Sequence, residues 1–517
     1  MNGAQLLVET AKKSGIEVCF ANPGTTELPI VLALDSEPGM RAILGLFEGV
    51  CTGAADGYGR MLNKPAMTLL HLGPGLANGI ANLHNARRAK TPVVNVIGEH
   101  ATWHLAADAP LAMDIEALAG TVSGWHKTSE SPEALSRDIA EAAAASMYGQ
   151  IATLIVPNDY QLTESTVTEI TTPRFSFDPV DLSSIEEAAR IMRASEKAGL
   201  IIGARALRRQ GLHAAAHIKA ATDCDIIMNT YPSYVERGIG LPDVKRIPHF
   251  PEPGIEMLSQ YEAVVLVGTK EPVTFFGYKD IRSYLLAENQ RRLQIATDRQ
   301  DAAQALECLA EALGVRLSAS IPADVITHYS RPNVPHGELT AEKVCLTIAA
   351  IQPENAIIVD EGITTSAKYY PLTAGLPPNT FLAVSGGSIG YGMPCSVGAA
   401  IASPNRPVIN IQADGSAMYT VQALWTQARE ALDVTTLICS NQTYEILKVE
   451  LARLGITSMG PKTLSLTDID TPSLDWVRVA EGIGVPAAAV RTAEELAQEL
   501  TKSFSDPGPH LIEMKLV

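Results

Sequence analysis

The chain has 517 residues, 46% of them hydrophobic and 19% charged, with a formal net charge of −17. That length exceeds one hydrophobic core and predicts roughly three to four domains, while the charge argues against a nucleic-acid groove or an anionic membrane surface as the main partner. A phosphorylated ligand stays open, because a metal ion can reverse the field within one pocket.

The opening "MNGAQLLVETAKKSG" lacks the basic start and long apolar centre of a signal peptide, so it reads as a first helix. No apolar run nears the roughly 20 residues needed to span a bilayer. Seven cysteines are scattered without a C-x-x-C pair, as expected of buried free thiols in a reducing cytoplasm. The expectation is a cytoplasmic protein with neither nucleic-acid nor membrane partners.

Short β-branched runs alternate with helical patterns along the whole chain, which predicts parallel α/β architecture. "EVCF", "PAMTLLH", "TPVVNVIG" and "ATLIVP" come first, then "AGLIIG", "CDIIMN" and "AVVLVG", then "NAIIVD", "PVINIQ" and "TTLICS". Two Thr-, Pro- and His-rich stretches, 163–179 and 320–338, read as linkers. They predict α/β domains over 1–165, 180–320 and 338–517.

In the first and last thirds, strands run into Gly-rich turns that open helices, the place where α/β sheets bind anionic ligands. Early examples are "NPGTTELP" (22–29) and "LLHLGPG" (69–75), which carry Thr25 and His71. Between them, "ILGLFEGVCTGAADGYGR" (43–60) holds Glu48 as the lone charge in an apolar run. In the middle third, "GARALRRQG" (203–211) is a weak nucleotide signal, more simply a capped helix start. Late in the chain, "IQADGS" delivers Asp414 to a strand end, followed by Gly415 and Ser416. "TTLICSNQTYEIL" delivers Asn441 to a second strand end, followed by Thr443 and Tyr444. Read singly, these are an N-capped turn and an ordinary loop exit. Read together, Asp414, the Asn441 side-chain oxygen and the Thr443 carbonyl make a hard-oxygen triad suited to Mg²⁺, which keeps sites for water and phosphate.

The pair "ADGS…NQTY" resembles the G-D-G-S…N-N signature of the thiamine diphosphate enzymes of the pyruvate decarboxylase, acetolactate synthase and benzoylformate decarboxylase superfamily. Ala413 and Ser440 depart from that pattern, and Asn441 falls on the metal-binding asparagine. The resemblance covers nearly the full chain and implies three parallel-sheet α/β domains: pyrimidine-binding, central and diphosphate-binding. It implies thiamine diphosphate and Mg²⁺ as cofactors, with Thr364 of "DEGITTSA" and Asp414, Gly415, Ser416, Asn441 and Tyr444 around the diphosphate. In "SGGSIGYGMP", Ile389 would wedge the cofactor into a V and the Gly387 carbonyl would accept from its amino group. Glu48 would face the pyrimidine, where a carboxyl sheltered from water drives the amino group's proton exchange.

"NPGTTELP" resembles the substrate loop of benzoylformate decarboxylases, with Thr25 at the active-site serine position and His71 at that of a catalytic histidine. Their second histidine has no counterpart: "EPVTFFGYK" (271–279) carries Phe276, Gly277 and Tyr278 near that point. His100 and His104 are possible substitutes. Ile446 and Leu447 would form an apolar substrate wall. The implied activity is decarboxylation of a 2-oxo acid, ending in aldehyde release or carboligation, in a homodimer or homotetramer with shared active sites. Two other readings remain: a catalytically retired binding subunit of this fold, and an FAD- or nucleotide-dependent protein working through "GARALRRQG".

Overall fold

The computed structural model describes residues 1–166, 172 and 175–517, so part of the expected linker at 163–179 lies outside the described residues. The chain forms two compact units. One comprises Met1–Phe175, Pro332–Leu372 and Val384–Val517; the other comprises Ser176–Arg331 and Thr373–Ala383. The α/β expectation holds, with mostly parallel sheets flanked by helices.

The first unit holds two sheets. In the N-terminal one, six parallel strands run in the order Arg41–Leu44, Val18–Asn22, Ala66–Leu70, Val93–Glu99, Ile151–Pro157, Trp125–Thr128. Its inner strands are largely apolar because helices cover both faces, and the buried Thr68, Asn95 and Thr153 satisfy one another. Helices Gly3–Lys13 and Ala134–Ser146 pack Leu7, Val8, Leu135 and Ile139 onto Met67, Val94 and Leu154. In the C-terminal sheet, parallel strands run in the order Ala487–Val490, His510–Lys515, Val434–Ser440, Val408–Ala413, Ile357–Glu361.

Two small-residue helices, Glu48–Leu62 and Gly392–Ala402, cross closely enough that a Cβ at Gly57 would overlap the Cys395 carbonyl and one at Gly398 the Ala54 carbonyl. Beside that crossing, fully buried Arg60 donates Nε to Asp56 Oδ1 at 2.8 Å, Nη2 to Asp56 Oδ2 at 2.6 Å and Nη1 to the Tyr391 hydroxyl at 2.9 Å. Removing either ion would strand the other in low dielectric.

In the second unit, five parallel strands run in the order Lys245–Arg246, Asp225–Met228, Ala198–Ile202, Ala263–Val267, Arg291–Ala296. Asn379–Ala383 joins this unit by pairing antiparallel with Val235–Arg237. No described helix is long and apolar enough to cross a membrane.

Candidate active site

The carboxyl ends of the N-terminal strands gather the first group of site residues. Glu48 opens helix Glu48–Leu62, and His71 caps helix Leu72–Ala89 directly after strand Ala66–Leu70. Both flank Gly75, where a Cβ would lie 3.2 Å from Glu48 Oε1 and 3.5 Å from His71 Cβ. Glu48 is half-buried rather than fully sheltered, and its Oε2 accepts from Asn78 Nδ2 at 3.0 Å. His71 Nδ1 lies 2.8 Å from Oε2 of Glu27, a carboxylate with no exposed surface. Thr25 is exposed at the start of the turn, whereas the Thr26 hydroxyl donates to Glu27 Oε1 at 2.6 Å.

His100 and His104 lie beyond strand Val93–Glu99, ring centroids 5.5 Å apart. Burial pushes the Glu99 carboxyl up, and the His100 N–H donates to it at 2.7 Å.

The C-terminal sheet ends its neighbouring strands Val408–Ala413 and Val434–Ser440 at Asp414 and Asn441. Ala413 has φ −71°, so the departure from glycine carries no backbone strain there. Asp414 is 3% exposed, and its Oδ1 and Oδ2 accept from the Gly415 and Gln442 N–H groups at 2.8 and 2.7 Å. Burial raises its carboxyl above the usual range, outweighing those bonds, and among the described residues no Lys or Arg pairs with it.

Asp414 is thus a buried carboxylate without a cationic partner, at a strand end next to the one that delivers Asn441, whose side-chain oxygen accepts from the Thr443 N–H at 3.3 Å. Such a donor set fits a hard divalent ion. Among the described residues no three His, Cys, Asp or Glu side chains form a metal cage, so such an ion would complete its shell with water and phosphate. Thr443 leaves only its backbone carbonyl for that role: its hydroxyl bonds Asp468 Oδ1 at 2.8 Å. Gly415 makes room for a neighbour within the chain, since a Cβ there would lie 2.5 Å from Tyr444 Cε1. The Ser416 hydroxyl likewise donates inward, to the Ala413 carbonyl at 3.0 Å.

Thr364 precedes the turn Thr365–Lys368 after strand Ile357–Glu361, and Ile446 and Leu447 lie on the first turn of helix Glu445–Arg453. Gly387 has φ 74°, which a residue with a Cβ adopts only with strain. Its loop is held from two sides. Glu361, fully buried, accepts at Oε1 from the Gly390 N–H (2.8 Å) and at Oε2 from the Tyr391 and Gly392 N–H groups (3.0 and 2.7 Å). Helix Leu72–Ala89 presents Asn82 to the Gly390 carbonyl (3.2 Å) and Asn85 to the Ser388 carbonyl (2.8 Å).

Sequence reasoning missed Glu27, Asn78 and Glu361. The asparagines at 78, 82 and 85 have helical spacing, a signal that was available; the carboxylates find their partners far along the chain.

In the second unit, two arginines of "GARALRRQG" face protein, while Arg209 is exposed. Arg205 pairs with Asp301 at 3.2 Å, and the Arg208 guanidinium stacks 4.0 Å from the Tyr234 ring centroid. Gly203 lets the Gly268 turn approach, its Cβ position lying 2.9 Å from the Gly268 carbonyl oxygen. Phe276 is exposed.

The sequence matches two family models: the thiamine pyrophosphate enzyme N-terminal TPP binding domain over residues 1–118, and the C-terminal TPP binding domain over residues 362–514. It is 46% identical over 517 residues to a Mycobacterium tuberculosis protein named "Putative acetolactate synthase large subunit IlvX", spanning 99% of each chain. It is 28% identical over 546 residues to the benzoylformate decarboxylase of Pseudomonas aeruginosa, spanning 98% of this chain and 97% of that one. The solved thiamine diphosphate-dependent 4-hydroxybenzoylformate decarboxylase of Rhodococcus jostii RHA1 shares the fold, with TM-score 0.87 at 22% identity over 100% of this chain and 99% of that one. With the strand-end residues already described, these matches establish that the chain belongs to the thiamine diphosphate enzyme family, related to the acetolactate synthases and benzoylformate decarboxylases.

Proposed function

We propose that the protein is a cytoplasmic, Mg²⁺-dependent enzyme that decarboxylates a 2-oxo acid and either releases an aldehyde or adds the remaining acyl fragment to a second carbonyl. When bound, thiamine diphosphate supplies a carbanion that adds to the keto carbon and an electron sink for CO₂ loss. Residues 1–165 would hold its pyrimidine and residues 338–517 its diphosphate, with 180–320 a central domain.

Asp414 and the oxygens of Asn441 and Thr443 would hold Mg²⁺ against the diphosphate, with Thr364, Gly415, Ser416 and Tyr444 around it. One carboxylate and two neutral oxygens neutralise the ion only in part, which leaves charge for the phosphates. Glu48 would share a proton with the pyrimidine ring while Asn78 fixes one of its oxygens. Gly387 and Ile389 would set the angle between the cofactor's rings, a positioning effect worth effective molarities of about 10⁵–10⁸ M. His71 would move a proton at the substrate, worth roughly 10²–10⁴-fold, with Thr25 beside it and Ile446 and Leu447 as the apolar wall. A homodimer or homotetramer sharing residues across its active sites is part of this reading.

The observation that most supports it is the placement of Asp414 and Asn441 at the ends of neighbouring strands, in a chain whose other half sets Glu48 and His71 around one glycine. Incubation with pyruvate, benzoylformate and mixed 2-oxo acids, with CO₂ and product analysis, tests it. CO₂ release is expected from wild type and its loss in Glu48→Gln; undiminished turnover in that variant would rule the mechanism out.

A further inference from the structure

The strand-end cluster contains one carboxylate that the proposed reaction does not use. Glu27 lies in the turn after strand Val18–Asn22, which neighbours the strand that leads to His71. It has no solvent-exposed surface. Three donors converge on it: the Gly24 N–H on Oε2 at 2.8 Å, the Thr26 hydroxyl on Oε1 at 2.6 Å, and His71 Nδ1 on Oε2 at 2.8 Å. Asn158 Nδ2 donates to the Thr26 carbonyl at 2.8 Å and so fixes the turn.

Two glycines make the pair possible. A Cβ at Gly24 would overlap the His71 ring, and one at Gly98 the Glu27 carboxylate. Gly98 lies on the far side of the strand leading to His71, in strand Val93–Glu99. Three adjacent strands are therefore shaped around one carboxylate–imidazole contact. A carboxylate can only accept, so the Nδ1 position carries the hydrogen and Nε2 is left as the exchangeable nitrogen.

We propose that Glu27 is the positioning residue of His71, holding its ring in the Nδ1–H form and directing Nε2 to exchange protons at the substrate. This deepens the proposed function and rests on it. Glu27 touches neither substrate nor cofactor; it acts through His71 alone.

The test has two arms. Long-range proton–nitrogen correlation spectra of the full chain labelled with ¹⁵N-histidine, His71 assigned by its loss in His71→Gln, should show the His71 Nδ1 carrying a hydrogen. In Glu27→Gln the His71 signals should shift toward the other tautomer. In the kinetic arm, Glu27→Gln should lower kcat by roughly 10²-fold or more, as His71→Gln does. KM should change little, and the double variant should be no worse than His71→Gln. Cofactor affinity by calorimetry should stay within about two-fold in all three, because none lies on the diphosphate.

Wild-type spectra with Nδ1 unprotonated would overturn the proposal without needing any variant to fold, as would full turnover in Glu27→Gln. A wild type that binds no thiamine diphosphate and consumes no 2-oxo acid would instead overturn the proposed function, while the tautomer measurement would still stand.

Discussion

Replacing Glu361 by Gln should loosen the glycine loop at residues 386–392 without unfolding the chain. The carboxylate is fully buried and accepts four donors, three backbone N–H groups and Gln412 Nε2 at 2.9 Å. A glutamine offers one acceptor oxygen. In its better orientation that oxygen keeps the three donors now on Oε2, and the new NH₂ faces the Gly390 N–H. The Gly390 N–H and the N–H groups of the new NH₂ are then buried donors facing no acceptor there, at a cost of about 1–3 kcal/mol each. Burial already pushes the Glu361 carboxyl up, against the bonds from Gly392 and Gln412, so loss of the charge returns part of that cost. The net should be at least about 1 kcal/mol, or roughly a five-fold or larger shift in local opening. Hydrogen exchange of the Gly390–Gly392 amides reads this directly, since it reports the opening of individual segments. Exchange at least about five-fold faster in those amides, with strand Val18–Asn22 unchanged, is expected. Unchanged or slower exchange would refute the view that Glu361 holds the loop.

Gly398→Ala should destabilise the first unit by about 1–3 kcal/mol or more, because the new methyl meets the Ala54 carbonyl rather than a flexible side chain; a lowered urea midpoint checks it. Asn78→Ala should cut turnover while leaving cofactor affinity nearly intact, since it frees Glu48 Oε2 without touching Asp414 or Asn441; steady-state kinetics beside calorimetry separates the two. In the second unit, burial works to raise the Asp225 carboxyl, but hydrogen bonds from Lys245 and Tyr261 hold it below its ordinary value of 3.8. Its stabilisation is therefore complete above that value and lost as the pH falls through the lower folded one. Asp225→Asn should cost about 1–2 kcal/mol at pH 7, and the gap from wild type in urea unfolding should narrow as the pH falls below about 4.

The parts of the site that could be located from sequence are those whose signal is local. Asp414 and Asn441 each follow an apolar run, and Glu48 is the lone charge in another, so strand-end and helix-start placement followed from a few neighbouring letters. The parts that were not legible depend on contacts between distant segments. Glu27 meets His71 44 residues later, and the donors to Glu361 lie 29 to 51 residues on. Nothing in "NPGTTELP" or "DEGITTSA" says which of its polar residues will turn inward.

The same limit applies to the fold. Parallel α/β architecture was readable from alternating runs, but the membership of Thr373–Ala383 in the second unit was not. It arises from an antiparallel pairing of Asn379 with Arg237, far away in sequence. Gly415 shows a third kind of gap: its lack of a side chain is filled by Tyr444 of the same chain, although a glycine after a strand-end aspartate reads as room for a ligand.

In the proposed site, a divalent ion held at Asp414 anchors the diphosphate. Calorimetric titration of thiamine diphosphate into the full chain, with Mg²⁺ and with chelator, tests it most directly. Binding that requires Mg²⁺ in wild type and disappears in Asp414→Ala is the predicted result; binding of equal strength in chelator, or in Asp414→Ala, would contradict it.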